Sequence, residues 1–434
     1  FNARFFDVTE IRGDLGINPI VLEIITPEVG IIDWATVPAR DGDGPNLTIL
    51  LKTERLVLGD TPLQVDETAI ILKPDEFDVS FDGSEMSGRV WRIGEGSLFI
   101  DLTHLVLPEG GDLLDPPDDD PLFDYDPGQL PSANIQVNQL KRGETDYQDM
   151  NIVLVSGDSR LDATTLEFNR DGQKYQGELA WVFENGRAKS ALLLRAQGAE
   201  LGHILRVNED EPLLEAASGR FVSNLSWEGS PLGFSVLTSE GLVELSLEDG
   251  RFVDLGNSAE VLRLFGILNI ETITRRLRLD FLDLVQPGVA FDRVSAKAKI
   301  ANGSLRFDPE FQMQGPSSSF RMTGVADLVN QRLNQELEVD IPLTNNLPLA
   351  SVLLGAPQVG GAIYLVENAL GTKLIKVGKT SYRIEGSFDD PQVSLIPPFS
   401  KKKDNVNADT SANSQCIDFR TRRADFGRSG AFGQ

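Results

Sequence analysis

The sequence contains few of the residues on which disulfide frameworks, zinc sites and histidine-based catalysis depend. One cysteine and two histidines occur among 434 residues. A single cysteine excludes a disulfide framework within the chain. His104 and His203 are far apart and lack neighbours at metal-ligand spacing, which argues against a zinc site and a histidine-based triad. We therefore expect no enzymatic activity, no metal site and no cofactor.

Positive charge is also scarce. The chain has 40 Lys and Arg against 66 Asp and Glu, which gives a formal net charge of -26 and a pI near 4.5. Such a chain repels a phosphate backbone, so the composition excludes nucleic acid as a partner.

Long apolar runs are rare as well. Residues 343–366 carry no charge over roughly two dozen positions, which is long enough on count to span a bilayer. Pro348 and Pro357 interrupt this run, so it predicts two short apolar helices at 349–354 and 359–370. They are covered either by the core of their own domain or by a lipidic surface. In the second interpretation, the residues that cap a groove or contact a membrane are Leu349, Val352, Leu353, Leu354, Ile363 and Leu365.

Most of the remaining chain alternates apolar and polar residues with a period of two, which is typical of antiparallel strands. Each predicted strand has a face of Lys, Arg, Asp, Glu, Ser and Thr and a bulky apolar face that must be covered. Residues 232–236 read as one such strand, and Asp249-Gly250 reads as a hairpin turn. The bulky face comprises Leu179, Trp181, Phe183, Leu192, Leu194, Phe234, Val236, Leu277, Leu279, Phe281, Leu337, Val339 and Ile341.

A glycine recurs in the middle of predicted strands after the same apolar-x-Gly step. It stands at Gly88, Gly177, Gly324 and Gly386. This recurrence predicts a bend or a close backbone approach, once per module. The chain is therefore predicted to be mainly β, with an elongated, curled antiparallel sheet that forms a groove and is built from repeated hairpins.

Helical patterns are few. Besides the run described above, they occur at 258–276 and, more weakly, at 199–207. Two or three short helices near the C-terminal end cannot cover so large a sheet. The sheet therefore either closes into a sandwich or curls into a trough whose apolar lining is left for a ligand.

Composition divides the chain into four regions. Residues 1–107 form a first β repeat, 108–131 an acidic, proline-rich linker, 132–397 a β-groove with helices near 258–276 and 348–371, and 398–434 a disordered tail that contains Cys416. The acidic residues of the linker could hold calcium, as could Asp41 and Asp43. Neither set has the spacing of a known calcium loop, which favours a solvated linker.

The segment from about residue 264 to 397 resembles the C-terminal region of the AsmA-like family, in its YhdP branch. The motifs that carry the resemblance are LRLFGIL at 262–268, RRLRLDF at 275–281, GVAFD at 288–292, GAPQVGG at 355–361 and YRIEGSFDDP at 382–391. The repeat before the linker resembles the family's central region more loosely. Glu228 and Phe388 depart from the family pattern, in which proline and tryptophan are usual.

The resemblance implies a periplasmic protein of Gram-negative bacteria that carries phospholipid along an apolar β-groove between the inner and outer membranes. It implies an anchor in the inner membrane, through an N-terminal helix absent from this chain. The expected partners are phospholipid and the two membranes or their proteins, and we expect a monomer. The alternative is a scaffold or assembly factor whose exposed sheet edges receive strands of outer-membrane proteins. No residue spacing supports an enzyme.

Overall fold

The computed structural model describes a set of ranges separated by gaps, and all structural statements here concern these ranges. They are residues 10–14, 20–26, 28–30, 47–53, 55–58, 61–73, 76–94, 96–109, 120, 122–198, 214–252, 289–316, 319–342, 377–388 and 390–396.

The first half of the described chain consists of short strands. They are β1 (Glu10–Asp14), β2 (Ile20–Ile25), β3 (Glu28–Gly30), β4 (Leu47–Lys52), β5 (Arg55–Leu58), β6 (Thr61–Gln64), β7 (Glu67–Lys73), β8 (Glu76–Asp82), β9 (Met86–Ile93) and β10 (Leu98–Leu107).

The second half consists of longer strands. They are β11 (Ala133–Arg142), β12 (Thr145–Gly157), β13 (Arg160–Arg170), β14 (Gln173–Glu184), β15 (Arg187–Gly198), β16 (Leu214–Glu228), β17 (Glu240–Phe252), β18 (Val289–Ala301), β19 (Ser304–Gln314), β20 (Ser319–Asp327), β21 (Arg332–Pro342), β22 (Val377–Ser387) and β23 (Pro391–Ile396). Two short 3-10 helices accompany them, Pro127–Gln129 before β11 and Pro231–Gly233 between β16 and β17.

Twenty of these strands form one long sheet in which nearly every strand pairs with its neighbours in the chain. The sheet is curled and does not close, because the described residues of β1 and β23 do not pair with each other. The prediction of a mainly β chain with a curled antiparallel sheet of hairpins is thus confirmed. Two pairings of this sheet, β2 with β4 and β10 with β11, are parallel. In each case the chain returns from the end of the first strand to the level of its start before the second strand begins.

Tight turns set the register of the longer hairpins. Asn185 and Gly186 join β14 to β15 with φ values of 56° and 78°, and Asn302 and Gly303 join β18 to β19 with 51° and 64°. Positive φ at both central positions is the geometry of a type I′ turn, which Asn-Gly adopts readily and which matches the twist of the strands. The sequence thereby fixes which residues of neighbouring strands lie opposite each other.

The connections at the two ends of the strands differ in length. Three pairs lie at one end, where the chain segments between the partners are long: Gly198 with Gly219, Phe252 with Val289, and Pro342 with Val377. At the opposite end of the strands, Ala301 pairs with Ser304 across a two-residue turn. The three segments for which helices are predicted, 199–207, 258–276 and 348–371, therefore all connect strands at the same end. The helices themselves lie outside the described residues, and the described residues contain no α-helix.

A second, three-stranded sheet of β3, β5 and β6 covers part of the long sheet. Leu56 and Leu63 project from it and are fully buried in the same apolar cluster as Leu51 and Val79 of the long sheet. The N-terminal part of the fold is therefore two-layered.

Two local predictions are wrong. Residues 232–236 do not form a strand: Ser230 caps a 3-10 helix that begins at Pro231, which favours a turn, and the chain reaches the next strand only at Glu240. Asp249-Gly250 is no hairpin turn either. It lies inside β17, where Asp249 has a φ of 50° and Gly250 pairs with residues on both neighbouring strands.

The recurring glycines mark close approaches of neighbouring backbones, as their position predicts. A Cβ atom on Gly88 would lie 2.3 Å from the carbonyl oxygen of Asp101. A Cβ on Gly324, whose φ is 121°, would lie 2.4 Å from the carbonyl oxygen of Asn334. These positions have no room for a side chain.

We predict that Gly324→Ala lowers the free energy of unfolding by roughly 1–3 kcal/mol, because the backbone must change φ and move away from β21. Chemical denaturation measures the change. The control is Gly157→Ala, since a Cβ there meets nothing within 4 Å, and it should change stability by less than about 0.5 kcal/mol. Equal effects of the two substitutions would contradict the close approach.

Candidate functional site

An uninterrupted row of apolar and aromatic side chains crosses the strands β13 to β23. Each member lies directly opposite the next in the register of the sheet. All of them lie on the face that also carries Trp181, and we call this face the inward face. The row, called the apolar track, is Phe168, Tyr175, Ala196, Phe221, Leu245, Ala296, Phe311, Met322, Leu337, Tyr382 and Leu395. With strands spaced about 4.8 Å apart, its ten steps give a path of about 48 Å along the sheet. This exceeds the roughly 30 Å thickness of a bilayer's hydrocarbon core.

The apolar track carries no charge. Its two ionisable groups are the phenols of Tyr175 and Tyr382, and burial is the main cause that raises the pKa of each. Both phenols therefore remain neutral at physiological pH. Phe168 and Tyr175 stack with ring centroids 4.7 Å apart, which gives the start of the track a flat aromatic surface.

The opposite, outward face is polar and carries ion pairs between neighbouring strands. Glu215 pairs with Arg251 at 2.7 Å, Lys297 with Glu244 at 3.0 Å, and Arg321 with Asp340 at 2.9 Å. Each such exposed pair contributes little to stability. Their arrangement nevertheless shows that the outward face contacts water and that the inward face is the apolar side of the sheet.

The inward face is partly accessible along its middle strands. Phe221, Leu245 and Ala296 of the track, on three successive strands, are partly exposed. On either side of them, Tyr175, Ala196, Phe311, Met322 and Leu337 are buried. Partly exposed side chains that form a continuous apolar surface are available to a ligand.

Six of the predicted lining residues lie in three settings. Leu192 and Leu194 lie on the inward face of β15 and are partly exposed, while Leu337 and Val339 on β21 are buried. Phe234 and Val236 lie in the turn between β16 and β17 and pack against the same apolar cluster. Contact of any of these residues with lipid stays a prediction.

Ten of the predicted site residues have side chains outside the part of the chain that the structure describes: Leu277, Leu279, Phe281, Ile341, Leu349, Val352, Leu353, Leu354, Ile363 and Leu365.

Trp181 belongs to a separate cluster at the edge of the inward face. It is 3% exposed and packs with Leu161 and Ala188, and the flanking Leu179 and Phe183 are partly buried against the same cluster. Leu122, Tyr125 and Leu130 cover this cluster from the end of the acidic segment. Residues 122–130, here called the capping segment, therefore pack against the sheet, although the sequence favoured a solvated linker there.

Hydrogen bonds accepted by two aspartates hold the capping segment. Asp120 accepts from the backbone N–H of Ser230 at 2.7 Å and from its hydroxyl at 2.6 Å. Asp126 accepts from the Ser159 hydroxyl at 3.0 Å and from the N–H of Gly128, at the start of a 3-10 helix. These carboxylates therefore fix the segment to two turns of the sheet. Among the described residues, no group of three or more acidic, histidine or cysteine side chains has the arrangement of a metal site.

Comparison with known proteins places the chain in a family. The profile described as YhdP protein matches residues 12–393. The chain belongs to the YhdP family. A relative named intermembrane phospholipid transporter YhdP, from Escherichia coli (strain K12), is 25% identical over 246 residues, which cover 56% of this chain and 19% of the relative. No solved structure matches this chain significantly.

The match confirms the resemblance to the YhdP branch that the sequence motifs carry. In this YhdP-family chain, none of the described segments contains a helix long and apolar enough to cross a bilayer.

Sequence reasoning missed the capping segment of this YhdP-family protein. A signal was present in the residues DYDPGQL at 124–130, where an aspartate before proline and glycine predicts a capped turn. Leu122, Tyr125 and Leu130 are apolar side chains that a fully solvated linker has no need of. The density of proline and aspartate upstream concealed both features.

We predict that Asp120→Ala loosens the capping segment, because it removes both hydrogen bonds to Ser230. Amide hydrogen exchange of residues 122–130 should accelerate by at least about tenfold, as expected when hydrogen bonds to a charged group are lost. Asp124→Ala is the matched control, because Asp124 is exposed in the same segment. Unchanged exchange in Asp120→Ala would show that the hydrogen bonds to Ser230 do not hold the segment.

Proposed function

We propose that this YhdP-family chain binds phospholipid with the acyl chains along the inward face of its sheet. It passes lipid between the inner and outer membranes through the periplasm without any chemical reaction. The observation that carries this proposal is the apolar track, because it is continuous over eleven strands, uncharged and partly exposed in its middle.

The energetics of lipid transfer require such a surface. Each methylene that leaves a bilayer for water costs about 0.8 kcal/mol, so a tail of ordinary length costs on the order of ten kcal/mol. A track that offers apolar contact at each strand compensates for this cost at every position along it. Movement from one strand to the next then exchanges equivalent contacts, and no single position binds the tail tightly.

The open curl of the sheet suits an amphiphile. Acyl chains contact the inward face, while the charged headgroup remains in water at the open side of the groove. A closed apolar cavity would instead require the headgroup to be buried, at a cost of several kcal/mol for a charge.

The family relationship supports the same function. The relative from Escherichia coli is named for phospholipid transport between membranes, and its matched portion is 19% of its length. This chain thus corresponds to one section of such a transporter, and we propose that it forms one section of the lipid path.

Site-specific photocrosslinking tests the proposal. A photoreactive amino acid at Phe221 or Leu245, on the inward face, should crosslink to labelled phospholipid from vesicles. The same group at Arg220 or Glu244 should not, because these neighbours project from the same strands to the outward face and are exposed. Crosslinks of equal yield on both faces, or none on either, would overturn the proposal. Crosslinks from β23 to a strand of another protein, without lipid, would favour the scaffold instead.

A charge within the track should block lipid binding. We predict that Leu245→Asp lowers phospholipid bound per chain at least tenfold, since a carboxylate beside an acyl chain is poorly solvated. Ser246→Asp, on the outward face of the same strand, is the control and should bind as the wild type does. Native mass spectrometry counts the bound lipid, and circular dichroism verifies that both variants fold. Normal lipid binding by a folded Leu245→Asp variant would show that the track is not the path.

A further inference from the structure

Arg170 is an exception to the segregation of charge to the outward face. It ends β13, two residues after Phe168, so both side chains project from the same face of that strand. Across the sheet, Arg170 pairs with Gln173 and Phe168 pairs with Tyr175. The guanidinium lies over the ring of Tyr147, 5.7 Å from its centroid. Arg170 is therefore a cation on the inward face, at the end of a strand and beside the first residue of the apolar track.

The fold uses the Arg170 guanidinium incompletely. Its one ion pair within the described ranges is with Asp171, the next residue in the chain, and joins Nε to a carboxylate oxygen at 3.3 Å. This distance exceeds that of an ordinary N–H···O hydrogen bond, and the side chain makes no hydrogen bond to a described residue. On the outward face, by contrast, Arg251 and Arg321 donate to carboxylates at 2.7 and 2.9 Å. Arg170 therefore retains N–H donors for a further partner.

Arg170 and the apolar side chains beside it are accessible to a ligand. The Arg170 side chain is 28% exposed. The inward-facing apolar side chains that extend from it along β12 and β13 are partly exposed as well, in contrast to the fully buried Met322 and Leu337 further along the track. These partly exposed side chains, here called the β13 patch, are Tyr147, Met150, Ile152, Leu166 and Phe168.

The β13 patch runs along the strands, away from the guanidinium. Ile152 pairs with Leu166, and Leu154 pairs with Ala163 further along. Leu154 packs in the cluster beneath the capping segment, which bounds the far end of the patch. From Phe168 to Ala163 the distance along the strand is about 17 Å. An acyl chain spans about 15 Å in one leaflet, half of the roughly 30 Å hydrocarbon core of a bilayer, so the patch has the length of one tail.

A cation at the end of an apolar strip is complementary to an anionic amphiphile. A guanidinium binds phosphate through two parallel N–H···O hydrogen bonds. A neutral lipid would leave the Arg170 donors unused, and a free phosphate would leave the β13 patch uncovered. Because the Asp171-Gly172 turn follows directly, a phosphate at Arg170 would lie at the end of the strand, where the rest of the headgroup reaches water.

We propose that the Arg170 side chain binds the phosphate of a phospholipid whose acyl chain lies on the β13 patch. This inference rests on the proposed function and deepens it, because it names the part of the lipid that is recognised and the place of recognition. The guanidinium donates two hydrogen bonds to phosphate oxygens while its Nε remains beside Asp171. The tail contacts Phe168, so the bound lipid lies at the start of the apolar track.

A competition between two lipids tests the proposal. The 434-residue chain is incubated with micelles of an uncharged detergent that contain equal amounts of phosphatidylglycerol and diacylglycerol with the same acyl chains. Native mass spectrometry measures the ratio of the bound lipids. Arg170→Gln should lower the preference of the wild type for phosphatidylglycerol about three- to tenfold, as expected for a half-exposed, hydrogen-bonded ion pair.

Further variants separate the charge of Arg170 from its contribution to the fold. Arg170→Lys keeps the positive charge and should retain part of the preference, because an ammonium lacks the paired geometry of the guanidinium. Arg220→Gln removes an exposed arginine from the outward face and should bind as the wild type does. Circular dichroism verifies that the variants fold, and Arg170→Met replaces Arg170→Gln if that variant folds poorly.

Photocrosslinking locates the bound tail. A photoreactive amino acid at Met150 should crosslink to the acyl chain of phosphatidylglycerol, and Arg170→Gln should lower the yield by the same three- to tenfold factor, about as the loss of one ion pair predicts. The same group at Leu245, on the middle of the track, should keep its yield in Arg170→Gln. An equal loss at both positions would contradict a local role of Arg170.

The outcomes separate this inference from the proposed function. A wild-type preference that survives in Arg170→Gln, or the absence of any preference in the wild type, would overturn the role of Arg170 and leave phospholipid binding intact. Release of the bound lipid by inorganic phosphate would assign Arg170 to free phosphate and overturn the inference as well. If the wild type binds neither lipid, the proposed function fails, and this inference fails with it.

Discussion

The structure depends on the constant register between strands. Side chains alternate between the two faces of a strand, so a shift of a single residue would move every apolar side chain of that strand to the outward face. In β13 to β23 the register is maintained across successive pairings, and bulges absorb its shifts between β13 and β14 and between β18, β19 and β20. A row of residues that are distant in sequence, such as Phe168 and Leu395, thereby becomes one continuous surface. The segregation of charge to the outward face follows from the same rule.

A long apolar face must also be protected from association with other molecules. The structure protects it unevenly. The small sheet of β3, β5 and β6 covers the N-terminal part, and the capping segment covers the cluster around Trp181. Beyond the capping segment, on β16 to β18, Phe221, Leu245 and Ala296 remain partly exposed. Both covering elements occur where neighbouring strands are parallel. Strand β3 of the small sheet lies between β2 and β4 in the chain, and the capping segment lies between β10 and β11. In each case the chain must return along the strand before the parallel strand begins, and this return passes over the sheet.

The proposed function needs no reactive group, and the physical demands on the site are correspondingly simple. The path must be apolar, uncharged and long, and no position on it may bind the ligand so tightly that movement stops. The neutral tyrosines of the track meet the second demand, because their burial disfavours ionisation.

The sequence by itself determined the strands, their two unlike faces and the family. Alternation at Leu192 and Leu194 and Asn-Gly at the turn before β15 are local signals, so they can be read without knowledge of distant residues. Only the tertiary structure decided which residues form the track and that Trp181 lies beneath the capping segment. These features depend on residues that are far apart in sequence, such as Asp120 and Ser230, and alternation within one strand carries no information about what lies opposite it or covers it. The Asp249-Gly250 pair illustrates the same limit, because a strong local turn signal was overridden by pairing with β16 and β18 on both sides.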